Sequence, residues 1–551
     1  MKFSYLCLLA LFTLPVTIKA QLMVPKVTFS RADSLRGQLT ALRSCYDVNY
    51  YHLDVKVDLE DRSLRGSNEF RFTAIEDFSR LQLDLFANLK VERIMYQGKE
   101  LSFKREFNAV FVDFPEKIRK GRKDSFTVYY SGKPTVANKA PWDGGMVFAK
   151  DPGGKPWVST AVQGMGASAW WPTKDHLSDE PDSMLISVQV PTGLKNISNG
   201  RLRGVTEQAD GYTRYDWIVK SPINTYNIAL NIGDYVHLSD SYQGEKGTLS
   251  LDYWVLPSNV EKAKTHFANN VKPMLKSMEY WFGPYPFYED GFKLIETPYL
   301  GMEHQSAVAY GNGYQNGYLG RDLSDTGWGK KWDFIIIHES GHEWFGNNIT
   351  CCDIADMWIH ESFTSYSEGL FVESMFGKKA GAEYIVGTRR QILNDVPIIG
   401  HYNVNKEGSG DMYSKGSNIL HMIRTIINND SKWRMILRGL NKEFYHQTVT
   451  SQQIIDYISK QADMELTPIF EQYLQFTSLP KLEMIKKGNE VWCRWKTDVK
   501  DFSMPVRIRK KGAEYQFVTL SSRAYRPVKI KGLTLENIEV DTESFYIELA
   551  R

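Results

Sequence analysis

His338, Glu339 and His342 spell H-E-x-x-H, and Glu361 follows His342 by nineteen positions. The motif sits between the apolar runs Phe334-Ile335-Ile336-Ile337 and Trp344-Phe345, which suits a buried helix. Residues four apart share one face of a helix, so His338 and His342 can aim their imidazoles at a single point, as one Zn²⁺ requires. A third ligand must then arrive from another element. Glu361, in Asp356-Met357-Trp358-Ile359-His360-Glu361-Ser362-Phe363, offers a suitable carboxylate. Two His, one Glu and a water make the open site of a hydrolytic enzyme carrying one zinc per chain. The plainer alternative is a buried helix with two hydrogen-bonded histidines. The helical context and the downstream acid weigh against it.

The elements that must hold these residues change character along the chain. From about Val48 to Asp240 the pattern has period two. Leu53, Val55, Val57 and Leu59 alternate with His52, Asp54, Lys56 and Asp58, as in half-buried antiparallel strands. After Val255-Leu256-Pro257 the chain turns helical. Ser258 is the expected cap of a helix reaching Phe282, which Gly283-Pro284-Tyr285-Pro286 stops. Further helices are expected from Met357 to Phe376, Lys415 to Asn428 and Ser451 to Phe476. After Ser478-Leu479-Pro480, short alternating strands return, as in Val491-Trp492-Cys493-Arg494-Trp495. The expectation is a multidomain α+β chain. It has an N-terminal antiparallel β domain (21–245), an α-rich catalytic domain with a small sheet (246–480) and a small C-terminal β-sandwich (481–551).

At 551 residues the chain exceeds one hydrophobic core. Lys2, the apolar run Phe3–Val16 and Ile18-Lys19-Ala20 read as a cleaved secretory signal over residues 1–20, which places the protein outside the cytoplasm, secreted or periplasmic. The alternative is an uncleaved anchor, although the run is short for a membrane span. Cleavage leaves 65 basic against 65 acidic residues, a balance that argues against a nucleic-acid partner. No later segment is apolar enough to span a bilayer. Cys45, Cys351, Cys352 and Cys493 are too few for a disulfide framework, so free buried thiols are expected.

Two further motifs flank the zinc signature: Leu300-Gly301-Met302-Glu303-His304 upstream and Asp411-Met412-Tyr413-Ser414-Lys415-Gly416 downstream. Together with H-E-x-x-H and the distal Glu, they resemble the zinc aminopeptidase family of aminopeptidase N and the leukotriene-A hydrolases. That family carries G-x-M-E-N, then H-E-x-x-H, then eighteen residues and a Glu, then a catalytic tyrosine. The resemblance covers nearly the whole mature chain and implies a thermolysin-like catalytic domain acting on peptides. It implies His338, His342 and Glu361 as zinc ligands, Glu339 as general base and Tyr413 as oxyanion donor. It also implies Glu303, with Gln163 beside it, as holder of the substrate amine. The chain departs from the pattern at four positions, one of them His360, where the family has an Asn before the distal Glu. Leu300 and His304 replace the Gly and Asn of G-x-M-E-N, and His304 reads either as a pocket-lining substitute or as an extra ligand. Gln163-Gly164-Met165 puts a methionine where many members have an acid. Glu368, two turns beyond Glu361, reads either as support for a ligand histidine or as a solvated carboxylate. An epoxide hydrolase or bifunctional enzyme of the leukotriene-A hydrolase type shares every zinc residue, and a non-catalytic scaffold on the same fold is the remaining rival.

Overall fold

A computed structural model of the protein describes residues 28–550. The leader-like residues 1–20 lie outside them.

The N-terminal region is built on an eight-stranded sheet. Its central strands, Tyr46–Asp58 and Ser63–Ala74, pair antiparallel over almost their full length. The period-two pattern explains the register, since Leu53, Val55 and Val57 are wholly buried. The all-antiparallel expectation fails at one seam, because Tyr46–Asp58 runs parallel to Ser183–Pro191. More than a hundred residues lie between these strands, including one smaller sheet and two strands of another, ample for the crossover that a parallel pair needs.

A five-stranded sheet follows, in the order Val236–Gly244, Gly247–Val255, Phe292–Glu296, Val308–Tyr310 and Gly301–Met302. The division read at 245/246 falls in the hairpin turn between its first two strands. The last strand forms an edge, so the chain leaves the sheet directly into Glu303. Gly301 lets that edge lie against the zinc-signature helix. A Cβ at Gly301 would stand 2.8 Å from Ile335 and 2.9 Å from the Glu339 carboxylate.

The helices follow the sequence with three differences. The long helix begins at Val260, after a 3-10 turn at Pro257–Asn259, so Ser258 is not its cap. The stretch from Ser451 to Phe476 is two helices, Ser451–Ala462 and Thr467–Gln475. Asp463 adopts a left-handed conformation (φ 57°), and Pro468 near the next helix start has no N–H to continue a ladder. Helices Lys378–Gly387 and Asp430–Glu443 were not expected. The C-terminal strands form a four-stranded and a three-stranded sheet. They share one continuous core with the helical region, whereas the N-terminal sheets pack around a second core. Cys45, Cys351 and Cys493 are free and buried, and Cys352 is free but only half-buried. No helix among the described residues is long and apolar enough to cross a membrane.

Candidate active site

The zinc signature lies on the helix Phe334–Gly341, whose first turn is capped by the Asp333 carboxylate accepting from the Ile336 N–H at 3.2 Å. His338 stands in mid-helix and His342 at its C-terminal cap. The chain then breaks at Phe345 and at Gly346, where φ is +127°. This break turns the Phe345 carbonyl back onto His342 Nδ1, 3.0 Å away. Glu361 occupies the first turn of the helix Trp358–Phe376. Two turns on, the Glu368 carboxylate meets His338 Nδ1 at 2.7 Å and accepts from the Tyr384 hydroxyl at 2.6 Å.

Carboxylates and carbonyls only accept, so both Nδ1 atoms carry the proton and both Nε2 lone pairs are left free. These Nε2 atoms lie 3.6 Å (His338) and 3.4 Å (His342) from Glu361 Oε2, and the three ligand atoms fall within 4.8 Å of one another. Glu361 Oε2 is buried with no hydrogen-bond partner among the described residues. Burial opposes charge on His338, yet the Glu361 and Glu368 carboxylates outweigh it and raise its pKa. Burial likewise pushes Glu361 up, but His342 and His338 hold it well below the usual carboxylate range. Glu303, Glu339, Glu361 and Glu368 are thus buried around only two imidazoles. A divalent cation on the free Nε2 and carboxylate atoms supplies the missing positive charge, so the residues fit zinc.

Glu339 points into the same cleft without joining the triad. Burial pushes its carboxyl up to about 7, against the pull of His338. Tyr413 precedes the helix Ser414–Ile427, and its ring stacks on His338 with centroids 5.9 Å apart. Tyr413 lines the open cleft and is 40% exposed. Desolvation first, then the Glu361 carboxylate, raises the pKa of the phenol, which therefore stays a donor.

Glu303 is buried at the other end. One of its oxygens accepts from Gln163 Nε2 at 2.6 Å and from the Tyr226 hydroxyl at 3.0 Å. Burial raises its pKa, and the nearby His342 opposes this. Ligand-type atoms of Glu303, Glu339 and His342 also lie within 4.8 Å of one another. Apart from Tyr226 and Phe345, these groups line one cleft of about 1000 Å³ between the N-terminal and catalytic regions, and Met165 lines it beside Gln163.

His304 does not line the cleft. It is wholly buried, neither ring nitrogen finds a partner, and burial holds its pKa down at about 3. It belongs to neither cluster of metal-ligand geometry. Tyr226, Tyr384 and the Phe345 carbonyl were missed by sequence reasoning. No local motif marks them: Tyr226 and Tyr384 reach partners in other elements, and the Phe345 carbonyl, only three residues from His342, turns back through the break at Gly346.

Two family models match in chain order: the Peptidase M1 N-terminal domain over residues 47–227 and the Peptidase family M1 domain over 267–473. A leucyl aminopeptidase of Saccharolobus solfataricus is 23% identical over 469 residues, which is 81% of this chain and 55% of that protein. Aminopeptidase B of Rattus norvegicus is 24% identical over 319 residues, 55% of this chain and 46% of that one. The chain thus spans about half the length of these curated relatives. The M1 zinc metallopeptidase of Deinococcus radiodurans shares the fold at a TM-score of 0.67 and 22% identity, covering 79% of this chain and 94% of that one. With both family regions matched and the H-E-x-x-H and distal Glu side chains converged inside the second, the chain belongs to the M1 family of peptidases.

Proposed function

We propose that the protein is a zinc-dependent aminopeptidase that removes N-terminal residues from peptides. The observation that carries this reading is the closeness of Glu303 to the zinc triad, within 4.8 Å of both Glu339 and His342. A buried carboxylate so near the hydrolytic centre meets a substrate ammonium only one residue from the scissile bond. His338, His342 and Glu361 would hold one zinc ion. When bound, zinc supplies a Lewis acid that polarises a carbonyl and lowers the pKa of water.

The chain's own groups supply the rest. Glu303, steadied by Gln163 and Tyr226, receives the α-ammonium and fixes the peptide's register. Glu339 takes the proton of the attacking water at its carboxylate and returns it to the leaving amine. Tyr413 donates its hydroxyl to the oxygen that gains charge as the carbonyl becomes tetrahedral. Glu368 and the Phe345 carbonyl keep the ligand imidazoles in one tautomer and one orientation. The aminopeptidase names of the relatives and the Tyr-Ser-Ala substrate bound to a mutant of the Deinococcus enzyme support peptides as the substrate class. The leader-like residues 1–20 support a secreted or periplasmic location.

Mass spectrometry of a free peptide over time tests the reading. The expected result is stepwise release from the N-terminus, abolished by a chelator and restored by Zn²⁺. Internal fragments appearing first, or full activity in zinc-free protein, would contradict it.

A further inference from the structure

The loop that presents Gln163 to Glu303 has few contacts of its own. Its internal bonds are Met165 N–H to Gln163 O at 2.8 Å and Gly166 N–H to Val162 O at 2.6 Å, which make a tight turn. Its outer support comes from Arg36, on the short helix Arg31–Gly37. The Arg36 guanidinium donates to the Met165 carbonyl at 2.9 Å and to the Asp175 carbonyl at 2.7 Å, and it pairs with the Asp175 carboxylate at 3.3 Å. Gly166 leaves room for it, since a Cβ there would overlap the guanidinium. Asp175 also accepts from the Ser168 N–H at 2.9 Å, so one ion pair ties both ends of the turn.

The helix that carries Arg36 is itself fastened by its carbonyl end, where a helix has unsatisfied acceptors. Gln82 donates to the Leu35 carbonyl at 3.1 Å, Arg43 donates to the Arg36 carbonyl at 2.8 Å, and a His176 ring nitrogen stands 3.2 Å from the Gly37 carbonyl. Gly37 packs so tightly on the backbone of Val404 and Asn405 that a Cβ has no space. Asn405, from the catalytic region, then donates to the Gly164 carbonyl at 3.0 Å. The turn is therefore gripped from two sides, and Arg36 lies ahead of residue 47, where the family match begins.

We infer that Arg36 is a positioning residue for amine recognition: through the Met165 carbonyl it fixes the turn that aims Gln163 at Glu303. This rests on the aminopeptidase reading above. Arg36 makes no hydrogen bond to the zinc ligands, Glu339 or Tyr413, so its loss is expected to move KM far more than kcat.

The test compares wild type, Arg36→Met, Gln163→Ala and the double variant in the full zinc-loaded chain, with a free-amine peptide as substrate. Arg36→Met should raise KM about 10-fold and change kcat by less than about 3-fold, the scale of one charge-assisted hydrogen bond. If Arg36 acts through Gln163, the double variant should match Gln163→Ala within about 2-fold, because coupled positions are not additive. A merely structural arginine would instead give multiplying effects, and that result, or an unmoved KM, overturns the inference. Should Arg36→Met not fold, Arg36→Lys serves. Its single ammonium cannot replace the fork, in which Nη1 donates to the Asp175 carbonyl while Nη2 meets the Met165 carbonyl and the Asp175 carboxylate, and a wild-type KM in that variant is equally contrary. A wild-type enzyme that releases no N-terminal residue would overturn the aminopeptidase reading and this inference with it, whereas wild-type release with an unmoved Arg36→Met overturns the inference alone.

Discussion

The two ends of the cleft are made in different ways. The metal end is helical. His338 and His342 share one helix face, and Glu361 and Glu368 share another, so side chains within each pair are placed by local periodicity alone. The amine end is assembled from distant loops, with Gln163 and Glu303 separated by 140 positions and Tyr226 lying between them in sequence. On the proposed reading, the chemistry would be carried by a locally encoded frame, and selectivity by contacts that exist only once the N-terminal and catalytic regions have packed together. Substitutions at the metal end should lower turnover or metal retention, and those at the amine end should change which peptides are accepted.

The sharpest break of this contrast is Glu339→Gln. It keeps the shape and removes the proton acceptor, so kcat should fall by about 10⁴-fold while zinc content, measured by elemental analysis, stays unchanged. Retained turnover would put the base elsewhere. Tyr413→Phe removes one donor used as the oxyanion forms, and a kcat loss of about 10²–10³-fold with little change in KM is expected. A matching rise in KM would make Tyr413 a ground-state binder instead.

Glu368→Gln tests whether the metal end depends on the second nitrogen of His338. The amide keeps the bulk but loses the charge that holds Nδ1–H, so zinc affinity, read by competition with a chelator, should drop about 10–100-fold. Unchanged affinity would leave Glu368 with no part in metal binding.

The smallest effect concerns His304, behind the amine end. Its pKa is held down at about 3 by burial, below the ordinary imidazole value in the unfolded chain. Below about pH 6.5 the unfolded state binds a proton that the folded state refuses. Stability present above that pH is therefore lost as pH falls toward about 3, at up to about 1.4 kcal/mol per pH unit. His304→Asn should flatten this slope in urea melts at pH 6.5 and pH 5. Parallel slopes would mean that His304 takes up a proton in the folded protein.

The same contrast explains what was legible in the sequence. H-E-x-x-H and Glu361 could be read because their geometry follows from helix spacing, and the strands around Leu53–Val57 because burial repeats every second residue. Tyr413 was not legible from spacing, being one of 30 tyrosines, and only the family resemblance singled it out. The parallel seam between Tyr46–Asp58 and Ser183–Pro191, and the Tyr226 bond to Glu303, have no local signal because they join segments far apart in the chain. The break at Asp463 has no signal in the apolar pattern, which carries on across it through Ile454, Ile458, Ala462, Leu466, Ile469 and Phe470, all buried. His304 was read as a cleft residue by analogy with the family's asparagine, but the chain turns inward immediately after Glu303.

On the proposed reading, the buried Glu303 carboxylate beside the zinc triad makes this protein an exopeptidase. The most direct measurement compares kcat/KM for one peptide with a free N-terminus and for its N-acetylated twin, on wild type and on Glu303→Ala. A charge-assisted hydrogen bond to the ammonium contributes about 1.5–3 kcal/mol, or roughly 10–150-fold in kcat/KM. Wild type should favour the free peptide by at least that factor, and Glu303→Ala should lose most of the preference. Equal rates on the two peptides with wild-type enzyme would contradict the claim.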